Sequence, residues 1–203
     1  MRVFRVSALF LAAVFVTQFA SGQVVVSNPG FDVDVIGWNA FAEASIVWSP
    51  LDALASPSSG SGLVTNMSTT ALDATGARQC LEGVTGLADY LISANVLVPG
   101  GQSETGYTYL VVQWYDGLSC AGANLGFSLS PGVLNPTVDV WYRDWGTVEA
   151  PSAAQSARLL LMVLKHQDIG TLDAHYDNVG FIEIIFVDGF ESGDTTAWSS
   201  VSP

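Results

Sequence analysis

The chain has 203 residues, with 19 Asp and Glu against 6 Lys and Arg and a formal net charge of −13. A surface of that sign repels phosphates and excludes nucleic acid as a partner, and it disfavours anionic membranes and densely anionic polysaccharides. Neutral ligands and cations remain.

In chain order, Arg2 and Arg5 precede a short apolar run, Ala8 to Val16, and then "FASGQ". This is the layout of a secretory signal peptide, and the run is shorter than the roughly 20 residues of a membrane span. Residues 1–22 are therefore expected to be a leader cleaved after Gly22, with Ala20 the alternative, and the product is expected to be exported, either free or at the cell surface. Removing the leader leaves Arg78, Arg143, Arg158 and Lys165 as the basic residues. The remaining roughly 180 residues suit one domain with a substantial core. Two cysteines in an exported chain predict one disulfide, Cys80–Cys120. A zinc site is a poor alternative, because the two His and two Cys show no ligand spacing.

Strand-like runs rich in Val, Thr, Tyr and Trp follow one another, broken by Gly, Pro, Asn and Asp. They fall at Val24–Val26, Asn39–Trp48, Gly62–Thr65, Arg78–Gly83, Tyr90–Val98, Tyr107–Asp116, Asn124–Leu129, Trp141–Val148, Ala157–His166 and His175–Ile185. Turn-forming stretches such as "SPSSGSG", "VPGGQSETG" and "APSAA" separate them. Ala153–Lys165 has helix propensity, but a Pro-led turn before a continuous apolar run favours a strand. The expected fold is all-β, an antiparallel sandwich or jelly roll.

Side chains alternate across a strand. In Tyr107–Asp116 the even residues Thr108, Leu110, Val112 and Trp114 look like core, and the odd face carries Tyr107, Tyr109, Val111, Gln113 and Tyr115. In Tyr90–Val98, Tyr90, Ile92, Ala94 and Val96 look buried, with Ser93 and Asn95 opposite. If the two strands are neighbours, phenols and amides share one surface. Aromatic rings lie well against the C–H faces of sugars, and amides suit their hydroxyls; a few fixed polar groups among apolar walls make a binding site. Tyr107, Tyr109, Gln113, Tyr115 and Asn95 are thus the candidate binders of a neutral polysaccharide or glycan. Trp38, Trp114 and Trp141 are assigned to the core or to other structural positions and not to binding, and Trp48 and Trp145 could go either way.

The ordered phrases Asn28-x-Gly30-Phe31-Asp32, Gly37-Trp38, Gly60-Ser61, Gln79-Cys80, Tyr90-x-Ile92-Ser93-Ala94, "WYDGLSCAG" and Tyr176-Asp177-Asn178-Val179 run through most of the chain after the leader. So does Trp141 followed by Gly146, Val148, Ala150, Pro151 and Ala153. Together they resemble the jelly-roll carbohydrate-binding modules of secreted cellulases and xylanases, within the galactose-binding-like sandwiches. The resemblance implies one such domain over 23–186. It also implies a structural calcium between the opening phrase and the last strand, with Asp32 and Asp177 as ligands; Asp32 is one methylene shorter than the family's Glu. A tail, 187–203, carries "DGFESGDTTAWS", which resembles a terminal phrase of many bacterial secreted proteins and echoes "NPGFDVDVIGWN" near the start. It suits an address or attachment element, the stub of a second module, or a terminal strand.

Catalytic signatures are lacking: there is no G-x-S-x-G elbow, H-E-x-x-H, P-loop or dinucleotide glycine motif. The expected role is non-catalytic carbohydrate binding. A surface-displayed structural or protein-interaction module is the alternative, and a glycoside hydrolase with two convergent carboxylates is a third reading.

Overall fold

The computed structural model describes residues 24–133 and 138–184. The proposed leader and tail lie outside them. The strands are β1 (Asn39–Phe41), β2 (Ala44–Ser49), β3 (Ser61–Asn66), β4 (Ala74–Glu82), β5 (Asp89–Leu97), β6 (Gly106–Tyr115), β7 (Asn124–Leu129), β8 (Tyr142–Glu149), β9 (Ser156–Lys165) and β10 (Leu172–Glu183). Two five-stranded sheets face each other. One runs β1-β4-β9-β6-β7 and the other β2-β3-β10-β5-β8, and the pairings within them are antiparallel. The sandwich expected from the sequence is the observed fold.

Two of the expected strands differ. Val24–Val26 joins no ladder, although Val24 and Val26 are buried in the core. Asn39–Trp48 divides into β1 and β2 because the chain passes from one sheet to the other there, through Ala42 at φ 56°. The stretch with helix propensity forms β9, the centre of its sheet. Its apolar run is continuous because both faces are covered. Leu159, Leu161 and Val163 enter the main core, while Leu160 and Met162 join Val111, Phe41, Ala74 and Tyr109 in a small cluster on the outer face.

The interior is filled from alternating positions, as the sequence pattern dictates. Tyr90, Trp114 and Phe181 meet at its centre, with Tyr90 stacked on Phe181 at 4.6 Å between ring centroids. Trp38 is buried as expected, but Trp141 is only half-buried and stands edge-on to His175 at 6.3 Å, outside the main core. It sits just before the edge strand β8, where only one side can be covered. Trp48 is 40% and Trp145 58% exposed.

The opening phrase is a plug for one end of the sandwich. Gln79, directed inward from β4, accepts from the Ser27 amide at 2.6 Å and donates to the Ser27 and Gly37 carbonyls. The Asn28 amide donates to the Asp34 carbonyl and carboxylate, and the Trp38 indole donates to the Asn28 carbonyl. The Val179 amide of β10 donates to the Pro29 carbonyl. Gly60 has a steric duty: a Cβ there would stand 2.3 Å from the Ser49 carbonyl oxygen and 2.6 Å from the Trp48 indole nitrogen. That indole donates to the Phe31 carbonyl.

The expected disulfide is present: Cys80 on β4 is joined to Cys120 in the 3₁₀ turn Leu118–Cys120 after β6. Among the described residues, no helix is long and apolar enough to cross a membrane.

Candidate functional site

The outer face of the β1-β4-β9-β6-β7 sheet carries an open groove of about 490 Å³, lined by Tyr107, Tyr109, Val111, Gln113, Phe127, Leu129, Ser130 and Pro131. Alternation along β6 builds its floor. The even residues from Thr108 to Trp114 are buried, and the odd side chains Tyr107, Tyr109 and Gln113 remain partly open. The Tyr107 and Tyr109 rings lie 5.6 Å apart at 38°, and His166 continues the row 5.9 Å beyond Tyr107. Burial, then the charges of Tyr107 and Asp73, push the Tyr109 phenol above its usual pKa. It stays a neutral donor at physiological pH. None of the eight lining residues is acidic or basic.

One side of the groove is β7, where Phe127 is 67% and Leu129 50% exposed. Neither residue is among the binders expected from the sequence. The available signal was Gly126 inside a strand pattern, a mark of a bulge. The ladder is irregular at that point, where Trp114 pairs Gly126 but Tyr115 pairs Asn124.

Ser130, at the groove's end, is fixed from the core. Its hydroxyl accepts from the Leu110 amide at 2.8 Å and donates to the buried Asp144 carboxylate of β8 at 2.6 Å. Desolvation raises the Asp144 pKa against the pull of these donors.

Two of the five candidate binders fall elsewhere. Tyr115 does not line the groove. It is 8% exposed, and its hydroxyl donates to Gln113 Oε1 at 3.2 Å and accepts from Arg158 Nη1 at 2.7 Å. The Arg158 guanidinium also covers its ring, 4.9 Å from the centroid. Tyr115 therefore braces the groove from its margin. Asn95 is not on this surface at all. Its strand, β5, belongs to the other sheet, between β10 and β8. The shared β5–β6 surface does not form, because the connection between these consecutive strands crosses between sheets.

The calcium candidates stand on the other sheet, where Asp177 lies midway along β10 beneath the loop that carries Ala53. Asp177 is 1% exposed; its oxygens accept from the Ala53 and Asn178 amides at 3.0 and 2.6 Å. Asp32 accepts from the Ser59 hydroxyl at 3.1 Å. Burial, followed by repulsion from Asp52 and Asp32, holds the Asp177 carboxyl above its usual pKa. Among the described residues no group of three or more His, Cys, Asp or Glu side chains could hold a metal ion. The negative charge thus converges without a complete side-chain cage, but each carboxylate oxygen keeps a lone pair beyond its hydrogen bond.

The histidines have partners the sequence did not show. His175 Nδ1 lies 2.9 Å from the Ser61 hydroxyl, and Ser61 is fully buried.

No family model matches the chain, nor does any curated protein. Solved structures do match. A xylan-binding domain of carbohydrate-binding module family 22 superposes with a TM-score of 0.59 at 19% identity, over 79% of this chain and 95% of that one. This chain has the carbohydrate-binding-module sandwich fold. The same sandwich occurs in the Clostridium thermocellum endo-1,4-β-D-xylanase 10B fragment that joins a family 22 module to a GH10 module, complexed with xylohexaose (TM-score 0.57, 19% identity, 79% of this chain). This chain spans only 29% of that fragment. The C-terminal family 22 module of the same enzyme, in which cleft residues were studied for ligand binding, matches at a TM-score of 0.55 and 19% identity, over 79% of this chain and 94% of that one. At these identities the likeness is one of sandwich fold.

Proposed function

We propose that this protein is an exported, non-catalytic glycan-binding protein that holds a neutral polysaccharide in the Tyr107–Tyr109 groove. The observation that carries the reading is the groove itself: tyrosines, an amide and exposed apolar rings on a fixed sheet, with no carboxylate among the described lining residues. Rings can take the faces of sugars while Gln113 and the neutral phenols meet their hydroxyls, and nothing in the lining can act as a paired acid and base. The xylan-binding domain and the xylohexaose-bound fragment supply the substrate class to try first, a β-1,4-linked xylan.

The test is calorimetry or affinity electrophoresis on xylan, mannan and β-glucan. Tyr109→Ala is expected to weaken binding by roughly thirtyfold, as for a central aromatic anchor worth about 2 kcal/mol. Tyr115→Ala should act indirectly and less, through Gln113 and Arg158. Binding of full strength in folded Tyr109→Ala would remove this groove as the site.

We propose also that calcium occupies the place marked by Asp177 and Asp32. It would use these two carboxylates and take its remaining oxygens from backbone carbonyls and water, since Ca²⁺ needs 6–8 of them. Its chemistry there would be charge neutralisation. The prediction concerns stability. Free of metal, the raised Asp177 carboxyl makes the folded state bind the extra proton. Its contribution is complete below the ordinary value of 3.8 and is lost as pH rises through the folded pKa. Calcium should reverse this trend and raise the melting temperature at neutral pH. Asp32→Asn should reduce that rise. A melting curve indifferent to millimolar calcium would sink the proposal.

A further inference from the structure

The glycan reading above leaves two arginines unexplained on the same face. Across the sheet, Gln113 of β6 pairs Arg158 of β9, which pairs Cys80 of β4. One step along, Val111 pairs Leu160, which pairs Arg78. Arg158 and Arg78 therefore project from neighbouring positions on the outer face, beside the groove floor. The partners of Arg158 are neutral oxygens: the Tyr115 hydroxyl at 2.7 Å, Gln113 Oε1 at 3.5 Å and the Cys120 carbonyl at 3.5 Å. Arg78 rests on the Phe41 ring, 5.3 Å from its centroid. Glu82, further along β4, has its Oε1 engaged by the Ser119 amide at 2.7 Å.

A chain with 19 acids and 6 bases could readily pair its few cations. Arg158 instead has only neutral oxygens as partners among the described residues, beside an uncharged groove. The Arg158 guanidinium is held over the Tyr115 ring and has five N–H donors, more than its neutral partners use. Its planar fork matches a carboxylate in two parallel bonds.

Resting on the groove reading, we propose that Arg158 seats the carboxylate of a uronic acid residue borne by the glycan in the groove. The acidic surface as a whole repels a densely anionic polymer. It does not repel a mostly neutral chain with an occasional acid, and Arg158 at the groove margin supplies the local complement. The preferred ligand class is then a uronic-acid-substituted β-1,4-glycan, the substituent lying over the Gln113–Arg158 margin.

The probes are glucuronoxylan and the same polymer after its carboxyls are reduced to alcohols. Wild-type protein is expected to bind the acidic polymer about three- to tenfold more tightly, as one charge-assisted fork allows. The preference should shrink in 0.5 M salt, where the screening length falls to roughly 4 Å. Arg158→Gln should bring the ratio of affinities close to one, and Arg158→Lys should leave it intermediate. If Arg158→Gln fails to fold, Arg158→Lys, which keeps a donor toward Tyr115, serves as the deciding variant, and an unchanged ratio there would count equally against the site. Equal affinity of wild-type protein for both polymers would overturn the carboxylate site and leave the groove standing. So would an unchanged ratio in folded Arg158→Gln. Failure to bind either polymer, or any neutral glycan, would remove the groove reading and this inference with it.

Discussion

Replacing both Cys80 and Cys120 by serine should lower the free energy of unfolding by about 4 kcal/mol. The bond closes a loop with a sequence separation of 40, so cutting it returns much conformational freedom to the unfolded chain. In the folded state it ties the exposed end of β4 to a turn whose Ser119 and Cys120 both have left-handed φ, 57° and 51°. Hydrogen bonds from the Cys120 amide to the Ser156 hydroxyl and from that hydroxyl to the Gly117 carbonyl support the same turn. Urea unfolding with and without reductant would measure the difference. A loss below about 1 kcal/mol would mean that these hydrogen bonds hold the turn unaided.

Trp114→Ala should cost about 3–5 kcal/mol, the range for emptying a large aromatic site in a packed core. Trp114 is 1% exposed and meets Tyr90 and Phe181 across the interior. Its indole N–H also donates to the Ser128 hydroxyl at 3.1 Å. Its neighbours along β6 give the control. Tyr109, on the outer face of the same strand, should lose glycan affinity with a much smaller loss of stability. Thermal unfolding and binding measured on both variants would separate the two faces. Equal destabilisation by Tyr109→Ala and Trp114→Ala would show that Tyr109 belongs to the load-carrying packing and not to an independent surface.

These two residues also show what was legible in the sequence. Period-two alternation placed Trp114 inward and Tyr107, Tyr109 and Gln113 outward, and the structure follows it because a pleated strand has no other option. Strand order was not legible. Alternation tells which face a side chain takes but not which strand lies beside it, so Asn95 was grouped with tyrosines of the other sheet. Tyr115 has the parity of the groove residues, yet Arg158, 43 positions away in sequence, covers it. Phe127 and Leu129 escaped notice because their contribution depends on β7 pairing with β6 across a bulge. The arginines were counted only as components of net charge, since sequence gives their number and not their neighbours.

The last strand also changes phase. In β10, Asp177 pairs Asn95 and Gly180 pairs Ser93, so three steps on one side answer two on the other. Before the irregularity Ala174 and Tyr176 point inward; after it Val179 and Phe181 do. A single surplus residue, with Asn178 at φ 50°, lets one strand turn an acid away from the oil and then return an aromatic ring to it. Anyone trimming, grafting or permuting this domain near its end must preserve that odd count. Deleting one residue there would rotate Phe181 and its stack on Tyr90 into water, although every amino acid retained would be the native one.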